Sequence, residues 1–208
     1  LGTSVTDYAT ALDIADWTGS TGRNISGSSD LAPLSEQAAM LHELFPNAKN
    51  VGLLYCSAEP NSVYQCGIVE TELKKFGYNV KWYAFSDSND LASVTTTACA
   101  ESDVLYIPTD NTVADNTEVI NNIALPAKTP IVAGEEGICR GCGVATLSIS
   151  YYDIGKAAGE MAYRILCEGA DVASMPVAFA EAATKKYDAE RCQALGVTVP
   201  SGYETIGG

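Results

Sequence analysis

The chain has 208 residues, 47% of them hydrophobic, with 26 acidic against 12 basic side chains and a formal net charge of -14. That length and apolar content allow a sizeable core, while the acidic balance excludes nucleic acid and anionic membrane surfaces as partners, since both require a basic face. No run of about 18 apolar residues is present to span a membrane. No signal-peptide pattern is legible either, and the opening Leu1 followed by GTSVTD reads as the interior of a longer protein, with the true N-terminus expected upstream.

In chain order, SEQAAMLHELF (35 to 45) has helical apolar spacing, with Ser35 as a candidate N-cap. NVGLLYC (50 to 56) is a short apolar run of the kind found in buried parallel strands. A helix is predicted over 61 to 77 with Gly77 closing it, then a strand over 79 to 86 and a threonine-weakened helix over 90 to 100. DVLYIP (103 to 108) is a strand, VADNTEVINNIAL (113 to 125) one helix, and PIVAG (130 to 134) a further strand. VATLSIS (144 to 150) predicts a strand and residues 151 to 169 a long amphipathic helix. MPVAF (175 to 179) reads as the last strand and 187 to 196 as a short helix, before a tail with turn chemistry and no periodicity.

Repeated strand–helix–strand units imply a parallel sheet with right-handed crossovers. Such sheets place ligands at the carboxyl ends of their strands. Three consecutive strands here end in polar clusters: Ser57, Glu59, Asn61 and Ser62; Thr109 to Thr112; and Glu135 with Glu136. Each cluster alone reads as helix capping. Together they are expected to form one wall of a cleft, where helix N–H groups attract a carboxylate or phosphate.

The motifs of catalysis are absent. There is no GxGxxG, GxxxxGK[ST] or GxSxG, and the one histidine, His42, lies inside a predicted helix. An enzyme is therefore not expected. Seven cysteines leave at least one thiol unpaired. The one tight pair, Cys139 and Cys142 in CRGC, lacks the second ligand pair of a zinc site. A local disulfide and two free thiols both stay open.

GTSVTD (2 to 7), NISGSSD (24 to 30), the EPNS of 59 to 62, DVLYIPTDNTV (103 to 113) and the EEG…YYDIG segment from 135 onward occur in this order. In that combination the chain resembles the substrate-binding proteins of ABC importers of the tryptophan/tyrosine type. The resemblance implies a type I periplasmic-binding-protein-like α/β fold: a parallel sheet with flanking helices, one complete lobe plus part of a second. It places residues 1 to 33 in a first lobe, 34 to 143 in a second, 144 to 172 back in the first and 173 to 208 back in the second. On that mapping roughly a hundred residues of the first lobe precede this stretch. CRGC stands where the resemblance implies a glycine-rich loop.

The resemblance further implies a solute-binding component that captures an aromatic or other amino acid in the inter-lobe cleft and delivers it to ABC permease subunits, without cofactor or metal. Its place would be outside the cytoplasmic membrane, tethered by a lipid on an N-terminal cysteine upstream. For a zwitterion, the carboxylate is expected to meet hydroxyls and helix amides, with Thr6, Ser29, Ser62 and Thr109 as candidates. The ammonium calls for a carboxylate: Asp110 first, then Glu59 or Glu135. Asn61 and Asn111 can donate or accept. Asp7 joins the candidate set, although it equally suits a cap, and Asp30 is expected only to shape the first crossing between lobes. Tyr8, Tyr64, Tyr151 and Tyr152 are candidate aromatic walls. The alternative function is the ligand-sensing domain of a transcription regulator, which shares the architecture; a flavodoxin-like enzyme is a third reading without its motifs.

Overall fold

The computed structural model describes residues 1–207. Along the chain come α1 (Tyr8–Ala11), α2 (Leu34–Leu44), β1 (Asn50–Cys56), α3 (Pro60–Lys75), β2 (Asn79–Phe85), α4 (Ser88–Glu101) and β3 (Val104–Ile107). Then follow α5 (Asn111–Ala114), α6 (Thr117–Ala127), β4 (Ile131–Ala133), α7 (Glu136–Cys142), β5 (Ala145–Ile149), α8 (Tyr151–Glu168), β6 (Ala183–Tyr187), α9 (Ala189–Leu195) and β7 (Glu204–Thr205). Two compact units divide the residues: Leu1–Leu31 with Ile149–Ala183, and Ala32–Ser148 with Thr184–Gly208.

The larger unit is built on a sheet of strand order β2-β1-β3-β4-β5-β6-β7. β1 to β5 pair in parallel, as expected when each strand is followed by a crossover helix. β1, β3, β4 and β5 lie in the interior of the sheet, and nearly every residue in them is buried. The core on one side joins Leu54, Phe85, Leu91, Leu105, Ile107, Ile120, Ile131 and Ile138. Gln37, buried on α2, ties the end of β4 to the middle of β5: its Nε2 donates to Gly134 O (2.9 Å) and Leu147 O (3.1 Å), and Tyr106 Oη donates to its Oε1. His42 stacks on Phe76 with centroids 4.4 Å apart, and its Nδ1 lies 2.8 Å from Tyr78 Oη, a packing role.

The smaller unit sets four extended segments side by side through isolated bridges: Gly2 with Gly27 and Ser28 with Ala178, both parallel, and Ser20 with Pro176, antiparallel. A Cβ on Gly27 would overlap the Gly2 carbonyl and the Tyr8 hydroxyl, so this close approach demands glycine. Beside the ladder, α8 buries Ile154 and Met161.

Several elements differ from expectation. The predicted strand over 175 to 179 forms only bridges at Pro176 and Ala178. The strand that does form, β6, reads ATKKY; its half-buried, lysine-bearing character hides it from an apolar search. The single helix predicted over 113 to 125 is two: α5 ends at Ala114, and α6 starts at Thr117 behind Asn116, whose extended φ breaks the run and whose Nδ2 donates back to Thr112 O. Ser35 is not the cap of α2, which starts at Leu34 behind Pro33. Gly77 fits its expected role: it follows the C-cap Phe76 at φ 88°.

CRGC is not a loop but the last part of α7, and all seven cysteines are free. Burial pushes the Cys142 thiol up to about 12 and the Cys192 thiol to about 11, and raises Cys139 as well. Only Cys167 is exposed. Thiolate character controls reactivity, so a disulfide-exchange reagent should titrate one thiol rapidly in native protein and seven after denaturation without reductant. A count of five or fewer in denaturant would contradict free Cys139 and Cys142.

Candidate functional site

The strand order reverses around β1, whose neighbours are β2 on one side and β3 on the other. The carboxyl ends of β1 and β3 are therefore a topological switch point, the place where open α/β sheets bind ligands. Glu59, Thr109 and Asp110, on the β1–α3 and β3–α5 turns, lie there together with Asn61 and Ser62 in the first turn of α3 and Asn111 at the start of α5.

Asp110, expected first as an ammonium partner, caps α5 and is 1% exposed. Its Oδ1 accepts from Val113 N (2.9 Å), and its Oδ2 accepts from Cys56 N and Ser62 Oγ (2.8 Å each). Both oxygens are thus held by the protein. Burial raises this carboxyl; the Cys56, Val113 and Ser62 donors counter that in part, and the charge of Glu59 adds to it.

Glu59 is half-buried and equally engaged. Its Oε2 accepts from Asn111 N and Nδ2 (3.0 Å each), its Oε1 from Thr112 N (2.8 Å) and Oγ1 (2.7 Å). Burial alone would raise its carboxyl, yet these donors hold it below the ordinary value. It bolts the β1–α3 turn to the start of α5. Glu135 caps α7 through Gly137 N and Ile138 N. All three carboxylates proposed from sequence for the ammonium are therefore bonded within their own unit.

What this rim leaves open is a set of neutral groups. Gln65 fixes Thr109 at both ends of its peptide, accepting from Thr109 N (3.1 Å) and donating to Thr109 O (3.0 Å). Asn61 Nδ2 and Ser62 Oγ also donate to Thr109 O. The Thr109 hydroxyl and the side-chain oxygens of Asn61 and Asn111 take part in none of these bonds.

The smaller unit has its own polar end. The segments through Gly2 and through Gly27–Ser28 run in parallel, and Thr6 and Asp30 lie just beyond their carboxyl ends. Ser29 Oγ donates to Thr6 O (2.8 Å) and accepts from Leu31 N (3.1 Å), which locks the two ends together. Asp7 caps α1 through Thr10 N. Tyr151 Oη donates to Asp30 Oδ2 at 3.3 Å. Asp30 is 6% exposed, Tyr8 is 3% exposed, and Asp30 Oδ1 and Tyr8 Oη have no partner among the described residues. Sequence reasoning undervalued Asp30: an SSD before a proline-bearing turn looks like punctuation, and nothing local shows that its carboxylate ends up buried. Of the other tyrosines, Tyr64 is half-buried on α3 and Tyr152 is 80% exposed.

A model of the ABC transporter substrate binding protein family matches residues 2–203. The chain belongs to this family. Among its relatives is a curated "Tyrosine-binding protein" of Clostridioides difficile, 33% identical over 156 residues, 75% of this chain and 45% of the relative. The match thus spans less than half the length of that protein. An ABC domain from Streptococcus pneumonia, solved in complex with L-Trp, superposes with a TM-score of 0.90 at 29% identity, covering 98% of this chain and 70% of that one. The ligand-free, open structure of a substrate binding protein with adhesive properties from Clostridium difficile gives 0.75 at 30% identity, covering 98% and 69%. A LacI family transcriptional regulator from Bifidobacterium animalis is 9% identical at a TM-score of 0.57, covering 86% and 65%, a likeness of fold alone. The fold of this substrate-binding protein is the α/β fold of type I periplasmic binding proteins, and the regulator alternative has only that distant likeness behind it. Among the described residues no helix is long and apolar enough to cross a membrane.

Proposed function

We propose that this protein is the solute-binding component of an ABC importer, that its solute is an amino acid with an aromatic side chain, and that it delivers the solute to permease subunits at the outer face of the cytoplasmic membrane. The observation that carries the reading is the polar rim at the carboxyl ends of β1 and β3, in a chain of the substrate-binding family. At the switch point of the larger unit the carboxylates are bonded into the scaffold, and hydroxyl and amide groups remain to meet a solute. The Thr109 hydroxyl and the Asn111 Nδ2 hydrogen not given to Glu59 can donate to a carboxylate, while the open side-chain oxygens of Asn61 and Asn111 accept; Thr109, Asn61 and Asn111 are the proposed contacts. The rigid backing by Gln65 and Glu59 keeps them in place before the solute arrives, which lowers the ordering cost of binding. Relatives named for tyrosine or solved with L-Trp support an aromatic amino acid. The role needs no chemistry on the solute, so no residue is assigned to catalysis.

A thermal-shift panel of the twenty amino acids, short peptides, nucleosides and sugars tests this. Tryptophan, tyrosine or phenylalanine should stabilise the protein, by about 2.7 kcal/mol at a hundred times Kd. Stabilisation by a sugar or nucleoside instead, or by none of the panel, would overturn the reading.

A further inference from the structure

Asp30 is a buried carboxylate that no cation compensates. None of the ion pairs among the described residues includes it. One of its oxygens is bonded through Tyr151; the other, Oδ1, is buried without a partner among the described residues. A buried charge is costly unless paired, and a buried acceptor left unbonded adds to that cost. A buried acceptor left in that state calls for a partner, and one brought from outside would supply it. The carboxylates of the switch point show the contrast, since each is bonded by its own unit.

We propose that Asp30 is the acceptor for the cationic amine of the solute, with Oδ1 as the bonding atom. The inference rests on the reading of the protein as an amino-acid receptor and adds the residue that distinguishes an amino acid from a plain carboxylic acid. The scaffold is prepared for the task. Tyr151 holds the carboxylate through Oδ2, and Ser29 fixes the strand ends that carry Thr6 and Asp30. Burial raises the Asp30 carboxyl, and so does it raise the Tyr8 phenol, with the Asp30 charge second. An arriving ammonium would reverse the effect on Asp30 by favouring its charged form.

The test compares L-tryptophan with indole-3-propionate, the same acid without its amine, on wild-type protein and on Asp30→Asn. Wild type should prefer tryptophan. In Asp30→Asn, tryptophan should bind about 10- to 100-fold more weakly, the range of a charge-assisted hydrogen bond, while indole-3-propionate keeps or gains affinity. The unliganded variant should melt no lower than wild type, because an unpaired buried charge has been neutralised. A purely structural Asp30 would instead lower the melting temperature and weaken both ligands alike, and that result overturns the proposal, as does unchanged tryptophan binding. Asp30→Ser reads the same ratio if the asparagine variant does not fold. Wild-type protein that binds neither tryptophan nor tyrosine would overturn the receptor reading itself, a different outcome from a lost preference.

Discussion

Arg191→Ala should lower the melting temperature by about 10 °C, the equivalent of about 3 kcal/mol in a domain of this size. Arg191, at 14% side-chain exposure, uses its whole guanidinium. Nε donates to Asn121 Oδ1 (3.1 Å), Nη1 to Cys139 O (3.1 Å), Gly143 O (2.8 Å) and Asp188 Oδ2 (2.9 Å), and Nη2 to Arg140 O (3.2 Å) and Gly141 O (3.1 Å). Four of these acceptors are carbonyls at the end of α7; Cys139 O also accepts from Gly143 N, whereas those of Arg140, Gly141 and Gly143 lie beyond that last helical bond. The ion pair with Asp188 also joins α7 to the cap of α9, since Asp188 accepts from Arg191 N. Truncation orphans the carbonyls and leaves Asp188 without its cation. Arg191→Lys should recover little, because a point charge cannot replace a planar fork. A drop under about 2 °C in the alanine variant would show that water satisfies the α7 end unaided.

Asp110→Ala should cost a similar amount, about 3 kcal/mol, and yet leave the solute-induced stabilisation in place. The loss combines one N-cap, worth about 1 kcal/mol, with two further buried donors, Cys56 N and Ser62 Oγ, at about 1 kcal/mol or more each. Asp110→Asn should lie between the alanine variant and wild type, since an amide supplies one acceptor where the carboxylate supplies two. Both variants should still be shifted upward by the aromatic amino acid that stabilises wild type. A variant that melts like wild type but no longer responds to the solute would make Asp110 a ligand contact and contradict the structural role.

The alternation of strand and helix was legible because buried parallel strands are continuous apolar runs: NVGLLYC and DVLYIP announce themselves. β6 did not, because its half-buried residues admit lysines. The helix break at Asn116 was hidden by an unbroken pattern across 113 to 125. The location of the polar clusters followed from topology, so Glu59, Ser62 and Asp110 were found together. Their roles were not legible. Whether a carboxylate is free depends on donors that arrive from 50 residues away, as Thr112 does for Glu59 and Cys56 for Asp110. Asp30 illustrates the same limit from the other side: its partner Tyr151 is 121 positions away, and its open oxygen becomes visible only when every neighbour is placed.

The central claim is that an aromatic amino acid is the solute. Calorimetric titration of L-tryptophan and of L-tyrosine into the protein at two temperatures tests it most directly. Saturable binding of at least one of them, at one site per chain and with a negative heat-capacity change from apolar burial, is the predicted result. No saturable heat from either amino acid at both temperatures would contradict it.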